Sequence, residues 1–270
     1  MGTKNLEDIV ESTKNKMKGE KKYMIIGDIH APFEDKNAMN IAYQYTDYYK
    51  PNEVIINGDL IDFYNISRFD KNPSRKEDLK KELTRSREIL DEIRQHNPEA
   101  KITLLEGNHD FRLQSFIWRN PEFEGVEEFS LKNLLHLDKY NINFIGVDGD
   151  YWKNDNGHYK VNDLLIMHGD NRLNGAKTSQ NGGYSAINTM KSLQHSVAIN
   201  HIHRLAQVHH TTPYGELVGL ECGSLCQPTG TANWQQGFVT FESYRNKNHN
   251  YRTHLIQNKK LIEDGMIFKG

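Results

Sequence analysis

Five short segments of this chain concentrate side chains able to hold a divalent cation. They are Asp28-Ile29-His30, Gly58-Asp59-Leu60-Ile61-Asp62, Gly107-Asn108-His109-Asp110, Met167-His168-Gly169 and Asn200-His201-Ile202-His203. A set that mixes carboxylate, amide and imidazole suits borderline metals such as Mn, Fe, Zn or Ni, not calcium or an ion that seeks thiolate. Each segment alone is weak, because Asp-x-His and Gly-Asp arise by chance and a lone histidine after a strand is more often a packing or surface residue. Their joint order carries the weight: every one follows an apolar run of strand length.

Those runs set the architecture that must position the ligands. Residues 23–26, 53–56 and 101–105 read as buried strands leading into Gly-Asp or Gly-Asn, with helices over 37–49 and about 74–96 between them. Strand and helix in alternation predict a largely parallel, buried sheet, whose working residues sit just past the carboxyl ends of the strands. The second half is richer in strands, at 142–147, 159–167, 196–200, 206–212, 217–221, 238–241 and 251–256, with its clearest helix at 184–193. That shift predicts a second sheet packed on the first. Residues 1–21 are polar and lysine-rich and read as a leader; residues 22–270 read as a single domain, with no repeat and no long linker.

Taken in order, Asp-x-His, Gly-Asp-x-x-Asp, Gly-Asn-His-Asp, His-Gly and x-His-x-His resemble the calcineurin-like metallophosphoesterase superfamily. The resemblance spans residues 22–226 and is greatest to the small stand-alone members of bacteria and phages. It implies an α/β fold, a four-layer αββα sandwich with two facing mixed sheets and a dimetal centre at their top. It also implies that Asp28, His30 and His203 hold one ion, that Asn108, His168 and His201 hold the other, and that Asp59 bridges them. The cofactors implied are two divalent ions, Mn2+ first, with Fe, Zn, Ni or Mg as alternatives. His109 would stand beside the ions and serve the phosphate or leaving group, and Asp62 would orient it. Phosphate-ester hydrolysis needs a nucleophile at neutral pH, neutralised phosphate charge and a stabilised leaving oxygen. A histidine held by an aspartate can give that oxygen a proton, worth ~100- to 10,000-fold. The expected activity is hydrolysis of phosphomonoesters or phosphodiesters. The alternatives are a nuclease or cyclic-nucleotide phosphodiesterase of the same superfamily, or an inactive scaffold, which the full set of expected ligands disfavours.

Two departures bear on the site. Asn200 stands where the family motif usually has Gly, a substitution eased by the tolerance of Asn for left-handed backbone. Phe63 stands where the Ser/Thr phosphatase branch carries an arginine fork, so Arg112 and Arg204 are nominated as substitute phosphate grips. The polar stretch 171–184 is a candidate substrate loop, and 67–96 a segment that narrows the entrance. His209 and His210 read as structural, and His254, like the remaining histidines, as surface; Trp118, Trp152 and Trp234 read as core or sheet-edge residues. The only two cysteines, Cys222 and Cys226, read as buried strand-end residues of a protein from a reducing compartment, with the cytoplasm as the default. A net charge of -2 gives no broad field for a long nucleic-acid track or an anionic membrane. Expected partners are a phosphorylated small molecule, a nucleotide or a nucleic-acid end, and no membrane.

Overall fold

The computed structural model describes residues 21–75, 78–147, 157–171, 175–229, 233–244 and 249–270. Alternation along single strands explains its layers. In β1 (Lys21–Ile26), Met24 and Ile26 enter one apolar layer while Tyr23 and Ile25 enter another. β2 (Glu53–Asn57) and β3 (Lys101–Leu105) divide the same way, with Ile56 and Leu104 in the first layer and Ile55 and Leu105 in the second. Strands buried on both faces need a partner on each side. On the first face lie α1 (Lys36–Tyr49) and α2 (Leu79–His96), which contribute Met39, Ile41, Ile89, Leu90 and Ile93.

The other face meets a second sheet. It consists of β5 (His158–Val161), β6 (Leu164–Met167), β7 (Ser196–Ile199), β8 (Leu205–Thr212) and β9 (Gly215–Cys222), in the order β5-β6-β7-β9-β8. Leu164, Ile166 and Ala198 join Tyr23 and Ile55 between the sheets, whereas Met167, Val197 and Ile199 face outward onto α5 (Tyr184–Leu193). The first sheet is completed by β4 (Ile142–Ile145), β10 (Gly237–Ser243) and β11 (His249–Leu255), in the order β11-β10-β1-β2-β3-β4. Both sheets are mixed. β1 to β4 run parallel, as do β6, β7 and β9, while β10 and β11 in one sheet and β5 and β8 in the other run antiparallel to their neighbours. The result is the four-layer αββα arrangement. Its parallel strands bring the loops after β1, β2, β3, β6 and β7 to one edge.

Several boundaries differ from the sequence expectation. The run 159–167 is a hairpin, β5 and β6, because the chain reverses at Asn162, which adopts φ 50°. Helix α2 begins at Leu79 and not near 74, since the Asp78 carboxylate accepts from the Lys81 N–H and caps it. Short helices α3 (Arg112–Arg119) and α4 (Leu131–Leu134) and the hairpin of β12 (Lys260–Glu263) with β13 (Met266–Lys269) are too brief to show a period. His254 is fully buried, not on the surface, packed by Tyr45 and Phe238 and bonded to Thr240 Oγ1 at 2.7 Å. Burial, helped by Arg252, holds its pKa at about 4. The leader lies outside the described residues apart from Lys21, which opens β1, and so does Trp152. No described helix is long and apolar enough to cross a membrane.

Candidate metal centre

Three of the five ligand loops carry their ligands on left-handed backbone. Asp28, His30, Asp59, His201 and His203 all have positive φ, between 47° and 67°. Such dihedrals cost a non-glycine residue on the order of 1–3 kcal/mol and collect where a side chain must be aimed. Two glycines permit the close approach. Gly58 has φ 83°, and a Cβ there would stand 2.5 Å from His168 Nδ1; a Cβ on Gly107 would collide with Asp59. Asp110 ties the loops together: its buried carboxylate accepts from the N–H groups of Asp59, Gly107 and Ile61 at 2.7, 2.8 and 3.2 Å.

The seven nominated ligands converge. Asp59 Oδ2 lies 3.6 Å from His30 Nε2 and 3.3 Å from His168 Nε2, midway between two histidines from opposite sheets. On one side, His30 Nε2 is 3.1 Å from His203 Nε2, which is 3.7 Å from Asp28 Oδ1. On the other, His168 Nε2 is 3.0 Å from Asn108 Oδ1, and Asp59, His168 and His201 bring ligand atoms within 4.8 Å of one another.

Hydrogen bonding tests whether cations fit here. The Asn57 carbonyl can only accept, so His168 donates to it from Nδ1 at 3.0 Å. In the neutral ring, Nε2 then aims a lone pair at the oxygens of Asp59 and Asn108, an arrangement that needs positive charge between the atoms. Burial opposes a charge on His168, yet Asp59 and Asp28 overcome it and push the imidazole up to about 10. Burial and the neighbouring His168 instead hold His201 at about 4, and burial and His30 hold His203 well below its ordinary value. A buried cluster of carboxylates around His168, with His201 and His203 held neutral and their lone pairs free for a metal, suits divalent cations.

Beside this cluster, Asp62 Oδ1 accepts from His109 Nδ1 at 2.6 Å and lies 3.3 Å from His30 Nδ1. Burial works against its ionisation, but the His109 and His30 hydrogen bonds outweigh it and hold the carboxyl below the usual range. His109 turns Nε2 outward, where Arg112 Nη2 donates to it at 3.0 Å; Arg112 Nη1 donates to the Asp62 carbonyl at 2.7 Å. Arg112 therefore lines the site. Arg204 does not, which corrects its nomination as a phosphate grip. Its guanidinium is buried and donates to the carbonyls of Ser179 and Gln180, with Glu221 Oε2 3.7 Å from Nε. It anchors Ser179 and Gln180 of the stretch 171–184, the nominated substrate loop, and the described residues of that stretch line none of the recess over the candidate ligand cluster.

Asn200 behaves differently from the sequence expectation. It takes no positive φ, a strain that falls on His201. Its buried amide accepts from Asn57 Nδ2 at 2.9 Å and donates to the Gly223 carbonyl at 2.9 Å, with Asp28 Oδ2 at 3.4 Å. The space comes from Gly27, where a Cβ would meet the amide at 2.8 Å.

Arg75 and Asp170 carried no signal of their own in the sequence. Arg75 stacks between Phe33 and Tyr64 at 4.5 and 4.4 Å, with Nη1 3.8 Å from Asp62 Oδ2. Asp170 Oδ2 stands 3.7 Å from His201 Nε2. Cys226 is buried as expected, but its Sγ lies 3.6 Å from His203 Nδ1, and burial and Asp28 push the thiol up to about 12. Trp234 packs at 4.1 Å on His203, whereas Trp118 is 46% exposed on helix α3 and is neither core nor sheet-edge. A recess of about 390 Å³ opens over the cluster; of the stretch 67–96, Ser67, Phe69 and Arg75 border it, and helix α2 does not.

The chain is 28% identical over 237 residues to the Gene 54 protein of Mycobacterium phage L5, covering 81% of this chain and 88% of that one. It is 27% identical to the Gene 54 protein of Mycobacterium phage D29, with coverages of 81% and 87%. The solved metallophosphoesterase from Sphaerobacter thermophilus aligns over 88% of each chain, with a TM-score of 0.46 and 15% identity. The profile of the calcineurin-like phosphoesterases matches residues 21–239, and the chain belongs to that family.

Proposed function

We propose that this protein hydrolyses phosphate esters with two divalent cations, one held by Asp28, His30 and His203, the other by Asn108, His168 and His201, and both by Asp59. The observation that carries the reading is the placement of Asp59 Oδ2 between His30 Nε2 and His168 Nε2. When bound, the cations would make water nucleophilic at neutral pH and neutralise phosphate oxygens. The residues of the chain do the rest. Asp62 holds His109 through its Nδ1–H, and Nε2, which accepts from Arg112 in the resting site, can carry a second proton toward the leaving oxygen once Arg112 turns to the phosphate. Arg112 and Arg75, on the rim of the same recess, hold phosphate oxygens by charge-assisted hydrogen bonds. Mn2+ is the first cation to try, since the donor set mixes imidazole with carboxylate and amide oxygen.

The test is to strip the protein, titrate it with Mn2+ by calorimetry, and assay nitrophenyl phosphate and bis-nitrophenyl phosphate. Two ions per chain and turnover of at least one ester are expected. One ion per chain refutes the dimetal centre, and no turnover of either ester by the loaded protein refutes the hydrolase.

A further inference from the structure

The recess over the metal cluster is one of two that meet at His109. It contains His30, Asp59, His201 and His203, with Tyr64 and Trp234 on its walls. A second recess of about 440 Å³ opens on the Asn108 side, lined by Arg68, Phe111, Ser115, Trp118 and Arg119. Ser67, Phe69, His109 and Arg112 border both. Phe69 is 60% exposed, and the guanidinium groups of Arg68 and Arg112 lie 5.7 and 5.8 Å from its ring centre. Exposed aromatic faces with guanidinium groups beside them offer stacking and cation–π partners to a ligand in the recesses.

Chemistry discriminates among occupants. A phosphomonoester has one organic substituent and needs one recess, whereas a diester has two and needs an exit on each side of the scissile phosphorus. Aromatic faces alternating with guanidinium groups match unpaired bases alternating with phosphates. A duplex keeps its base faces inside and could not use Phe69 or Trp118. A phosphorylated peptide would leave one recess empty.

Resting on the hydrolase reading above, we propose that the physiological substrate is a single-stranded nucleic acid, threaded through both recesses with its scissile phosphodiester at the metal cluster. Phe69 and Trp118 stack bases, Arg68 and Arg119 pair with flanking phosphates, and Arg75 and Arg112 hold the scissile one. In the cleavage step, water oxygen forms the new P–O bond and the bond from phosphorus to one sugar oxygen breaks. That oxygen takes the proton held at His109 Nε2, and the proton shed by the water passes to solvent. One product ends in a phosphomonoester and the other in a hydroxyl. The overall charge of -2 does not oppose this, because the contact is short and its arginines are local.

The experiment compares kcat/KM of the Mn2+-loaded protein on bis-nitrophenyl phosphate, a thymidylate dinucleotide, a thymidylate dodecanucleotide, an oligouridylate of that length, a duplex and a phosphotyrosyl peptide. Expected are a tenfold or greater gain from dinucleotide to dodecanucleotide and a preference for single strands over duplex. Two flanking phosphate contacts predict a salt slope of about -1.4 in log affinity against log salt. Phe69→Ala and Trp118→Ala should each lower kcat/KM on the dodecanucleotide by tenfold or more, the loss expected of one base stack, and by much less on the small diester. Thymidylate against uridylate separates DNA from RNA within the proposal. Turnover of the small esters with no gain from length, with equal cleavage of duplex, or with preference for the peptide overturns the proposal and leaves the hydrolase standing. Failure on every ester overturns both.

Discussion

Replacing Asp62 by asparagine keeps an oxygen where Oδ1 stands but removes the charge that two imidazoles share. Oδ1 accepts from His109 Nδ1 at 2.6 Å and lies 3.3 Å from His30 Nδ1. A hydrogen bond to a charged group is worth about 1.5–3 kcal/mol, and a neutral one about 0.5–1.5, so each bond weakens by roughly 1–1.5 kcal/mol. The shorter His109 bond bears the full effect, about tenfold in kcat. The longer His30 bond bears less, a several-fold loss of metal affinity, and together the two stay within the ~10–100-fold usual for such outer partners. His109→Asn separates the routes. It should lower kcat ~100- to 10,000-fold and leave Mn2+ affinity in place. In Asp62→Asn/His109→Asn, kcat should match that of His109→Asn alone, while Mn2+ affinity should match that of Asp62→Asn. Calorimetric titration and steady-state assay with bis-nitrophenyl phosphate measure both quantities, and circular dichroism checks the fold. Unchanged Mn2+ affinity in Asp62→Asn, or a double variant whose kcat losses simply multiply, would refute the shared-oxygen argument.

Three further outcomes follow from the same geometry. Gly58→Ala forces a Cβ to within 2.5 Å of His168 Nδ1 at φ 83°, so it should cost ~1–2 kcal/mol from backbone alone, lower Tm and abolish one metal site; full stoichiometry on titration would contradict this. Asn200→Ala removes the Asn200 donor, one of the contacts that lowers the Asp28 carboxyl, which burial already raises well above its ordinary value. Mn2+ affinity should therefore fall more at pH 6 than at pH 8, and an equal loss at both would exclude Asp28 as the route. Glu82, buried beside Asn65, is pushed up to about 7 by burial, with Asn65 as its hydrogen-bond partner. Because this carboxyl is raised, its contribution to stability is complete below an unfolded value of ~4.5 and is lost as pH rises through 7. Glu82→Gln should erase that decline and gain up to about 2 kcal/mol over the parent at pH 8, after allowance for solvent screening. Urea denaturation across that pH range decides it, and parallel slopes for parent and variant would refute the assignment.

Residue order alone determined the layered α/β plan and the five segments now found together, because both rest on short-range rules; the choice of seven side chains within them is what the family resemblance implies. A strand announces itself by an apolar run, and the residues just past its end share one edge of a parallel sheet wherever that sheet is placed. Tertiary structure decided the rest. Arg75 lies thirteen positions beyond Asp62 on a loop without a period, and its return to the site depends on stacking with Phe33 and Tyr64. Arg204 follows a ligand motif directly, yet its burial sends the guanidinium to Ser179 and Gln180. Trp118 has the composition of a core residue and an exposed setting because α3 is only eight residues long and packs one face, through Leu113 and Ile117. The direction of a long side chain is set by whichever partners the folded chain brings within reach, and proximity in sequence does not encode them.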